Sequence, residues 1–145
     1  MKLAVITGAS KGIGYFLAEK LLENNFKVVN ISRNKSKNNE VINYLFDLND
    51  NENISNLVKK IVKTHGSPNL IINNAGIASM NHTLLMNNSK IVDIINLNLI
   101  APIILSKEFA KFMIKNGGKI LNISSVAVPL LIEGEAVYAS SKSGL

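Results

Sequence analysis

The stretch between residues 3 and 14 constrains the fold of this chain more than any other. An apolar run from Leu3 to Ile6 leads directly into the sequence TGASKGIG at residues 7–14, and a helix-patterned segment follows. This order predicts a strand, a glycine turn and a helix start. Glycines let the backbone turn sharply, approach a ligand closely and pack the helix tightly on its strand. The N–H groups and the dipole of a helix start suit a diphosphate. These residues alone leave open an ordinary tight turn.

Apolar runs and helix-patterned segments alternate along the rest of the chain. Further strands are predicted at residues 26–31, 41–46, 70–72 and 119–123, and helices after the glycine turn, at 54–65, at 89–115 and from Tyr138 onward. The first helix is expected to stop at Asn24-Asn25. Strands that are apolar throughout indicate a parallel sheet covered on both faces. The predicted fold class is therefore α/β, a doubly wound parallel sheet of the Rossmann type that binds ligands at the carboxyl ends of its strands.

Length and composition favour one globular domain and exclude several kinds of site. The chain has 145 residues, 47% of them hydrophobic, and no cysteine, so we expect neither disulfides nor a thiolate zinc site. The net charge of +6 raises the question of a nucleic-acid partner, but the cations are scattered and aromatic residues make up only 6% of the chain. We expect no nucleic acid, no bound metal, no signal peptide, no membrane span and a cytoplasmic location. Abundant asparagine, notably at 24–25, 38–39 and 87–88, is interpreted as compositional bias.

Three motifs in a fixed order carry a resemblance to a known family. They are Thr7-Gly8-x-x-x-Gly12-x-Gly14, Asn74-Ala75-Gly76 and Tyr138-x-x-x-Lys142. With them, the whole chain resembles the classical short-chain dehydrogenase/reductase family. The resemblance implies that the glycine turn holds the pyrophosphate of a nicotinamide cofactor, that Asn74-Ala75-Gly76 stabilises the sheet beside it, and that Asp47 binds the adenine amino group. The implied cofactor residues are Gly8, Ser10, Lys11, Gly12, Ile13, Gly14, Arg33, Asp47, Leu48, Asn74, Ala75, Gly76, Tyr138 and Lys142. Taken alone, Asp47 also suits a helix cap.

Charge near the second strand bears on the choice of cofactor. A protein that binds NAD typically places a carboxylate at the end of this strand, where it accepts hydrogen bonds from the ribose 2′-OH. Ser32 occupies that place here, Arg33 follows it, and Lys11 lies inside the glycine turn. Two cations suit a 2′-phosphate, which a guanidinium can bind at two points. We therefore predict NADP(H); two solvated surface cations are the alternative.

The catalytic prediction rests on the last motif. A phenol has an ordinary pKa near 10, and a nearby ammonium lowers it by favouring phenolate. Tyr138 and Lys142 are four residues apart, so a helix places both on one face. The resemblance implies that Tyr138 is the general acid in reduction, that Lys142 lowers its pKa and holds the nicotinamide ribose, and that Ser125 polarises the carbonyl that receives hydride. A plain helix face is the alternative for the Tyr–Lys spacing alone.

Asn98 matches the fourth member of the family's catalytic set. Pro102 has no N–H, so the carbonyl of Asn98, four residues earlier, loses its helical partner. In the family, the main chain of this asparagine holds a water that links the lysine to solvent. Pro102 is interpreted either as freeing that carbonyl or as a simple helix kink.

The substrate side is less informative. Residues 126–137 are predicted to form a loop between Ser125 and Tyr138, and Leu130, Leu131 and Ile132 indicate either an apolar pocket wall, core or an interface. The expected substrate is a small carbonyl compound or alcohol whose identity the residues do not specify.

The chain ends at Leu145, three residues after Lys142. Members of the family continue with two more strands, a loop that touches the nicotinamide and a lid over the substrate. The expectation is therefore one Rossmann-type domain over residues 1–145, whole at its N-terminus and incomplete at its C-terminus, with an uncovered fifth strand and a short last helix. Full-length relatives commonly form homo-oligomers, which is doubtful for this chain. A truncated, catalytically inactive nucleotide-binding or interaction protein is the alternative to an NADP-dependent reductase.

Overall fold

A computed structural model describes residues 1–130 and 132–145 and contains a five-stranded parallel sheet with strand order β3-β2-β1-β4-β5. The strands are β1 (Lys2–Thr7), β2 (Phe26–Ser32), β3 (Ile42–Leu45), β4 (Leu70–Asn73) and β5 (Lys119–Asn122). The helices are α1 (Gly12–Glu23), α2 (Ile54–His65), α3 (Asn88–Ile95), α4 (Ala101–Met113), α5 (Ala127–Leu130) and α6 (Ala136–Ser143), with 3₁₀ turns at Asn51–Asn53 and Thr83–Leu85. This arrangement confirms the predicted fold class.

Both faces of the sheet are covered, which explains why its strands are apolar throughout. Alternate side chains of a strand point to opposite faces. Val5 therefore joins a core with α2 and α4 that includes Phe109, whereas its neighbour Ile6 joins a second core with Ala18 of α1. Helix α1 ends as expected, since Asn25 adopts a left-handed conformation at φ 59° just beyond it.

The long helix expected at 89–115 has two α-helical parts. A π-helical turn at Asn96–Ile100 joins α3 to α4, and Ala101 N–H donates to Asn96 O across it. Pro102 follows in the first turn of α4, inside the continuous helical stretch Asn88–Met113, so its missing N–H removes the helical partner of the Asn98 carbonyl four residues earlier. Asn98 lies inside this widened turn.

The helical stretch Asn88–Met113 bears on the expected absence of a membrane span. Over its 26 residues it is long and apolar enough to cross a bilayer, by length and composition alone. Core helices pass the same criterion, and here Leu105 and Phe109 are fully buried against the sheet. Val92 and Ile103, in contrast, are exposed.

Strand β5 pairs with β4, and all four of its residues are exposed. The fifth strand is therefore uncovered, as expected, with Leu121 46% accessible. The predicted loop at 126–137 contains the short helix α5, and Leu130 and Ile132 are exposed rather than core. Leu131 lies outside the described residues. Helix α6 is eight residues long, close to the two turns expected.

Candidate active site

The three glycines of the turn between β1 and α1 have different physical roles. Gly8 and Gly12 have φ values of +73° and +59°, a region that costs other residues energy. Gly8 also lies so close to β4 that a Cβ would come within 3.1 Å of Ala75 Cα, whereas a Cβ at Gly12 would meet open space. At Gly14 a Cβ would overlap the carbonyl of Gly8 and the side-chain amide of Asn74. The glycine pattern therefore combines backbone reversal with close packing of α1 on the sheet.

The start of α1 is open to an anion. Tyr15 N–H donates to Lys11 O (3.3 Å), which leaves the N–H groups of the three preceding residues without an acceptor inside the helix. Lys11 is the N-cap residue, its side chain makes no capping hydrogen bond to these N–H groups, and the first turn of the helix contains no acidic residue. The helix dipole and these N–H groups favour a negative group at this position.

Thr7 joins the end of β1 to the segment that follows β4. Its hydroxyl oxygen accepts N–H bonds from Asn74 (3.0 Å) and Ala75 (2.9 Å), and Asn74 Nδ2 donates back to Thr7 O (2.9 Å). Thr7 is 2% exposed, so these bonds lie away from water. The Asn-Ala-Gly segment is thereby fixed against the glycine turn.

A cleft of about 550 Å³ lies beside the glycine turn, at the carboxyl ends of β1 to β4. Its volume is typical of small-molecule sites, which span roughly 300–1,000 Å³. Most of the predicted cofactor residues line it: Gly8, Ser10, Lys11, Gly12, Ile13, Gly14, Arg33, Asp47, Leu48, Asn74, Ala75 and Gly76. The other two, Tyr138 and Lys142, lie outside its lining.

Several residues of the cleft escaped the sequence analysis. Asn34, Phe46, Asn49 and Ile77 are direct neighbours of predicted residues, so proximity along the chain was a usable signal. Lys90, Asp93 and Leu97 approach from α3 and the π-helical turn. Their spacing of three and four residues indicates a helix face, but no residue type marks that face as the one beside the cleft.

Asn98 and Lys142 meet beside Gly76. The Asn98 side chain is fully buried; its Oδ1 accepts Ile77 N–H (2.9 Å), and its Nδ2 donates to Ile77 O (2.9 Å) and to Ser141 Oγ (3.0 Å). Lys142 Nζ donates to Ile123 O (2.8 Å). A Cβ at Gly76 would lie 3.1 Å from Asn98 Oδ1 and 3.4 Å from Lys142 Nζ. Asn98 thus holds α6 against the loop that continues from the cleft.

Burial lowers the pKa of Lys142 below its ordinary value because a low-polarity environment disfavours the ammonium form. The side chain is only 4% exposed, and it projects from α6 one turn after Tyr138. Ser124 Oγ donates to Lys142 O (3.2 Å), which ties α6 to the segment following β5.

Ser125 lies in that same segment. Its Oγ accepts the N–H of Ala127 (3.1 Å), a bond that does not use the hydroxyl hydrogen. Of the four predicted catalytic residues, Asn98 and Lys142 are brought together beside Gly76. The half-buried Tyr138 lies on α6 one turn before Lys142, and Ser125 lies in the segment that follows β5. The site can therefore combine an anion-binding turn, two cations and a buried lysine near a tyrosine.

Comparison with known proteins shows sequence similarity over almost the whole chain. A family model described as short chain dehydrogenase matches residues 2–145. The 3-oxoacyl-[acyl-carrier-protein] reductase FabG of Buchnera aphidicola is 34% identical over 99% of this chain, and its counterpart from Escherichia coli is 33% identical. The chain spans about 63% of the length of either relative.

Solved structures give the same match in three dimensions. A 4-hydroxyisoleucine dehydrogenase complexed with NADH has a TM-score of 0.91 and 32% identity, with 99% of this chain and 64% of that one covered. A metagenomic short-chain oxidoreductase in complex with NADP has a TM-score of 0.93 and 32% identity, with 99% and 71% covered. The similar structures therefore include three complexes with NADH and one with NADP.

Proposed function

Because the chain belongs to the short-chain dehydrogenase family, we propose that it binds NADP(H) and transfers hydride between this cofactor and a carbonyl or secondary alcohol. The observation that carries the cofactor choice is the pair of cations at the cleft. Lys11 and Arg33 both line it, and Ser32, not a carboxylate, ends β2. A 2′-phosphate would gain two cationic partners there, whereas a free ribose would find no carboxylate at the end of β2.

The glycine turn supports the diphosphate part of the proposal. Its N–H groups at the start of α1 and the close approach allowed by Gly8 suit two adjacent phosphates. Asp47 and Leu48 line the same cleft, where we propose that they bind the adenine end of the cofactor.

The proposed chemistry uses the residues beyond Gly76. When bound, the cofactor supplies or accepts the hydride. We assign the proton transfer to the Tyr138 hydroxyl and the orientation of the substrate carbonyl to the Ser125 hydroxyl, whose acceptor side is already engaged by Ala127 N–H. We assign to Lys142, one helical turn after Tyr138, the role of holding the nicotinamide ribose of the bound cofactor. Asn98 holds the helix that carries both residues through its bond to Ser141.

A binding experiment tests the cofactor assignment. We expect NADPH to bind the full chain more tightly than NADH. Arg33→Ala should lower the affinity for NADPH by roughly tenfold to a hundredfold, because a hydrogen bond to a charged group contributes about 1.5–3 kcal/mol. NADH affinity should stay within about twofold. Lys35→Ala is the matched control, since this cation is exposed in the same loop but does not line the cleft. Equal affinity for NADH and NADPH in the parent chain would refute the assignment.

Turnover is tested separately, because the chain covers less than two thirds of the FabG relatives. The assay follows NADPH oxidation with a panel of ketones and 3-oxoacyl thioesters, the latter chosen from the names of those relatives. We expect Tyr138→Phe to retain NADPH binding and to lose turnover. Binding without turnover in the parent chain would favour the second candidate, a catalytically inactive nucleotide-binding protein. The proposed location is the cytoplasm.

A further inference from the structure

We propose that Asn30 is a positioning residue that sets the cleft's preference for a 2′-phosphate by fixing Lys11 and Arg33 relative to each other. The proposal rests on the proposed binding of NADP(H) and concerns a side chain that does not line the cleft. Asn30 lies in β2 and is fully buried. A fully buried amide on a strand that is otherwise largely apolar calls for a structural or functional reason.

One end of the Asn30 amide holds the glycine turn. Its Oδ1 accepts the N–H of Ala9 (2.9 Å), and the N–H of the preceding residue, Gly8, donates to Ile31 O (2.9 Å). These two bonds anchor the beginning of the turn on β2. The next residues of the turn lead to Lys11 and to the N–H groups at the start of α1.

The other end of the amide holds the loop that carries Arg33. The two hydrogens of Asn30 Nδ2 are shared among three acceptors within hydrogen-bond distance, namely Ser32 Oγ (3.0 Å), Asn34 O (3.3 Å) and Asn43 Oδ1 (2.9 Å). The first two acceptors lie on either side of Arg33. The third, Asn43 Oδ1, also accepts the N–H of Ser36 (2.8 Å) and so fixes the far end of the loop.

This geometry requires an amide. Asn30 must accept on one side and donate on the other, and neither a carboxylate nor an aliphatic side chain of similar size can do both. Arg33 and Lys11 are exposed and long, so their reach depends on the backbone that carries them. Because both segments are hydrogen-bonded to one rigid buried group, the distance between the two cationic side chains varies less. Binding of a dianionic phosphate between them then requires less ordering of these side chains.

The experiment compares 2′,5′-ADP with 5′-ADP, two ligands that differ only in the 2′-phosphate. Affinities are measured by calorimetry on the full chain and on the variants Asn30→Ala, Asn43→Ala and Asn39→Ala. Asn43→Ala removes the Asn30–Asn43 bond and the anchor of Ser36 N–H at the far end of the loop, and it leaves the bonds of Asn30 to Ala9, Ser32 and Asn34. We therefore expect the affinity for 2′,5′-ADP to fall by about threefold to tenfold, while the affinity for 5′-ADP changes by less than about twofold. Asn30→Ala should lower the affinity for both ligands, because it also removes the acceptor of the Ala9 N–H in the glycine turn. Asn39→Ala, an exposed position of the same segment, should change neither.

The outcomes separate this proposal from the one on which it rests. If the parent chain binds both ligands equally, the NADP(H) assignment fails, and the role of Asn30 fails with it. If the parent chain prefers 2′,5′-ADP and Asn43→Ala keeps that preference, only the role of the network is overturned. Asn43 is half-buried on the edge strand β3, so its variant decides the question even if Asn30→Ala does not fold. If the network only stabilised the fold, Asn43→Ala would lower the affinity for 2′,5′-ADP and 5′-ADP equally. That result would also contradict the proposal.

Discussion

Gly12 and Gly14 are two residues apart in one turn, and the structure predicts opposite responses to the same pair of substitutions. Gly12 needs a left-handed backbone and has open space where a Cβ would be. Gly14 has no such backbone requirement, but a Cβ there would overlap Gly8 O and Asn74 Nδ2. Conformation therefore decides what Gly12 tolerates, and volume decides what Gly14 tolerates.

The expected magnitudes follow from these two causes. At Gly12, alanine should lower the free energy of unfolding by about 1–2 kcal/mol, the cost of a left-handed conformation. Asparagine should cost less there because its short polar side chain tolerates that conformation. At Gly14, alanine should cost up to about 3 kcal/mol for overpacking against backbone, partly offset by about 1 kcal/mol of helix propensity. Asparagine should be worse than alanine at Gly14, since it adds volume and loses that propensity.

Urea unfolding of the cofactor-free chain checks the prediction with four variants, namely Gly12→Ala, Gly12→Asn, Gly14→Ala and Gly14→Asn. The expected rank order of stability reverses between the two positions, with asparagine the milder change at Gly12 and the harsher one at Gly14. Each loss of 1 kcal/mol should lower the melting temperature by about 2–4 °C in a chain of this size. The same rank order at both positions, or a Gly14→Ala variant as stable as the parent, would refute the reasoning.

Substitutions at three further positions have defined outcomes. Thr7→Val should lower the free energy of unfolding by about 2–4 kcal/mol, because two buried N–H groups, one of them from Asn74, lose their acceptor, and Thr7→Ser should restore most of it in the same urea assay. Phe109→Ala should cost about 3–5 kcal/mol, measured as a fall in the urea midpoint, since the ring is fully buried between α4 and the sheet. Lys111 and a second lysine hold the pKa of Glu108 at about 2, against an ordinary 4.5. Its contribution to stability is therefore present above about pH 4.5 and lost as the pH falls towards 2, and a pH series should show a shallower acid loss for Glu108→Gln, whereas parallel pH curves would contradict this.

The sequence predicted the sheet well because its signals are local. Runs such as Phe26 to Ile31 are apolar on both faces only when helices cover both, and the structure extends that strand by a single residue to Ser32. The motif glycines also placed the cleft at the right end of the sheet. Boundaries were less well predicted, since α6 begins at Ala136, two residues before the Tyr138 expected to open it.

The contribution of the long helix to the site could not be predicted in the same way. Pro102 indicated a lost helical bond near Asn98, but a kink, a water-filled gap and a widened turn all satisfy that condition. The π-helical turn is selected by tertiary bonds, because the Asn98 side chain must reach Ile77 and Ser141 at once. Lys90 of α3 also lines the cleft. These partners are distant in sequence, so no local pattern reveals them.

Asparagine shows most clearly what sequence reasoning could not distinguish. The chain contains 21 asparagines, and the pairs at 24–25, 38–39 and 87–88 suggested a bias without chemical meaning. Most of those pair positions are exposed, but Asn30 in β2 and Asn98 in the π-helical turn are fully buried. Each uses both ends of its amide to hold together two segments that bound the site. Because the surface residues and these two share one letter, only burial and bonding partners distinguish a solvated asparagine from one that fixes the site.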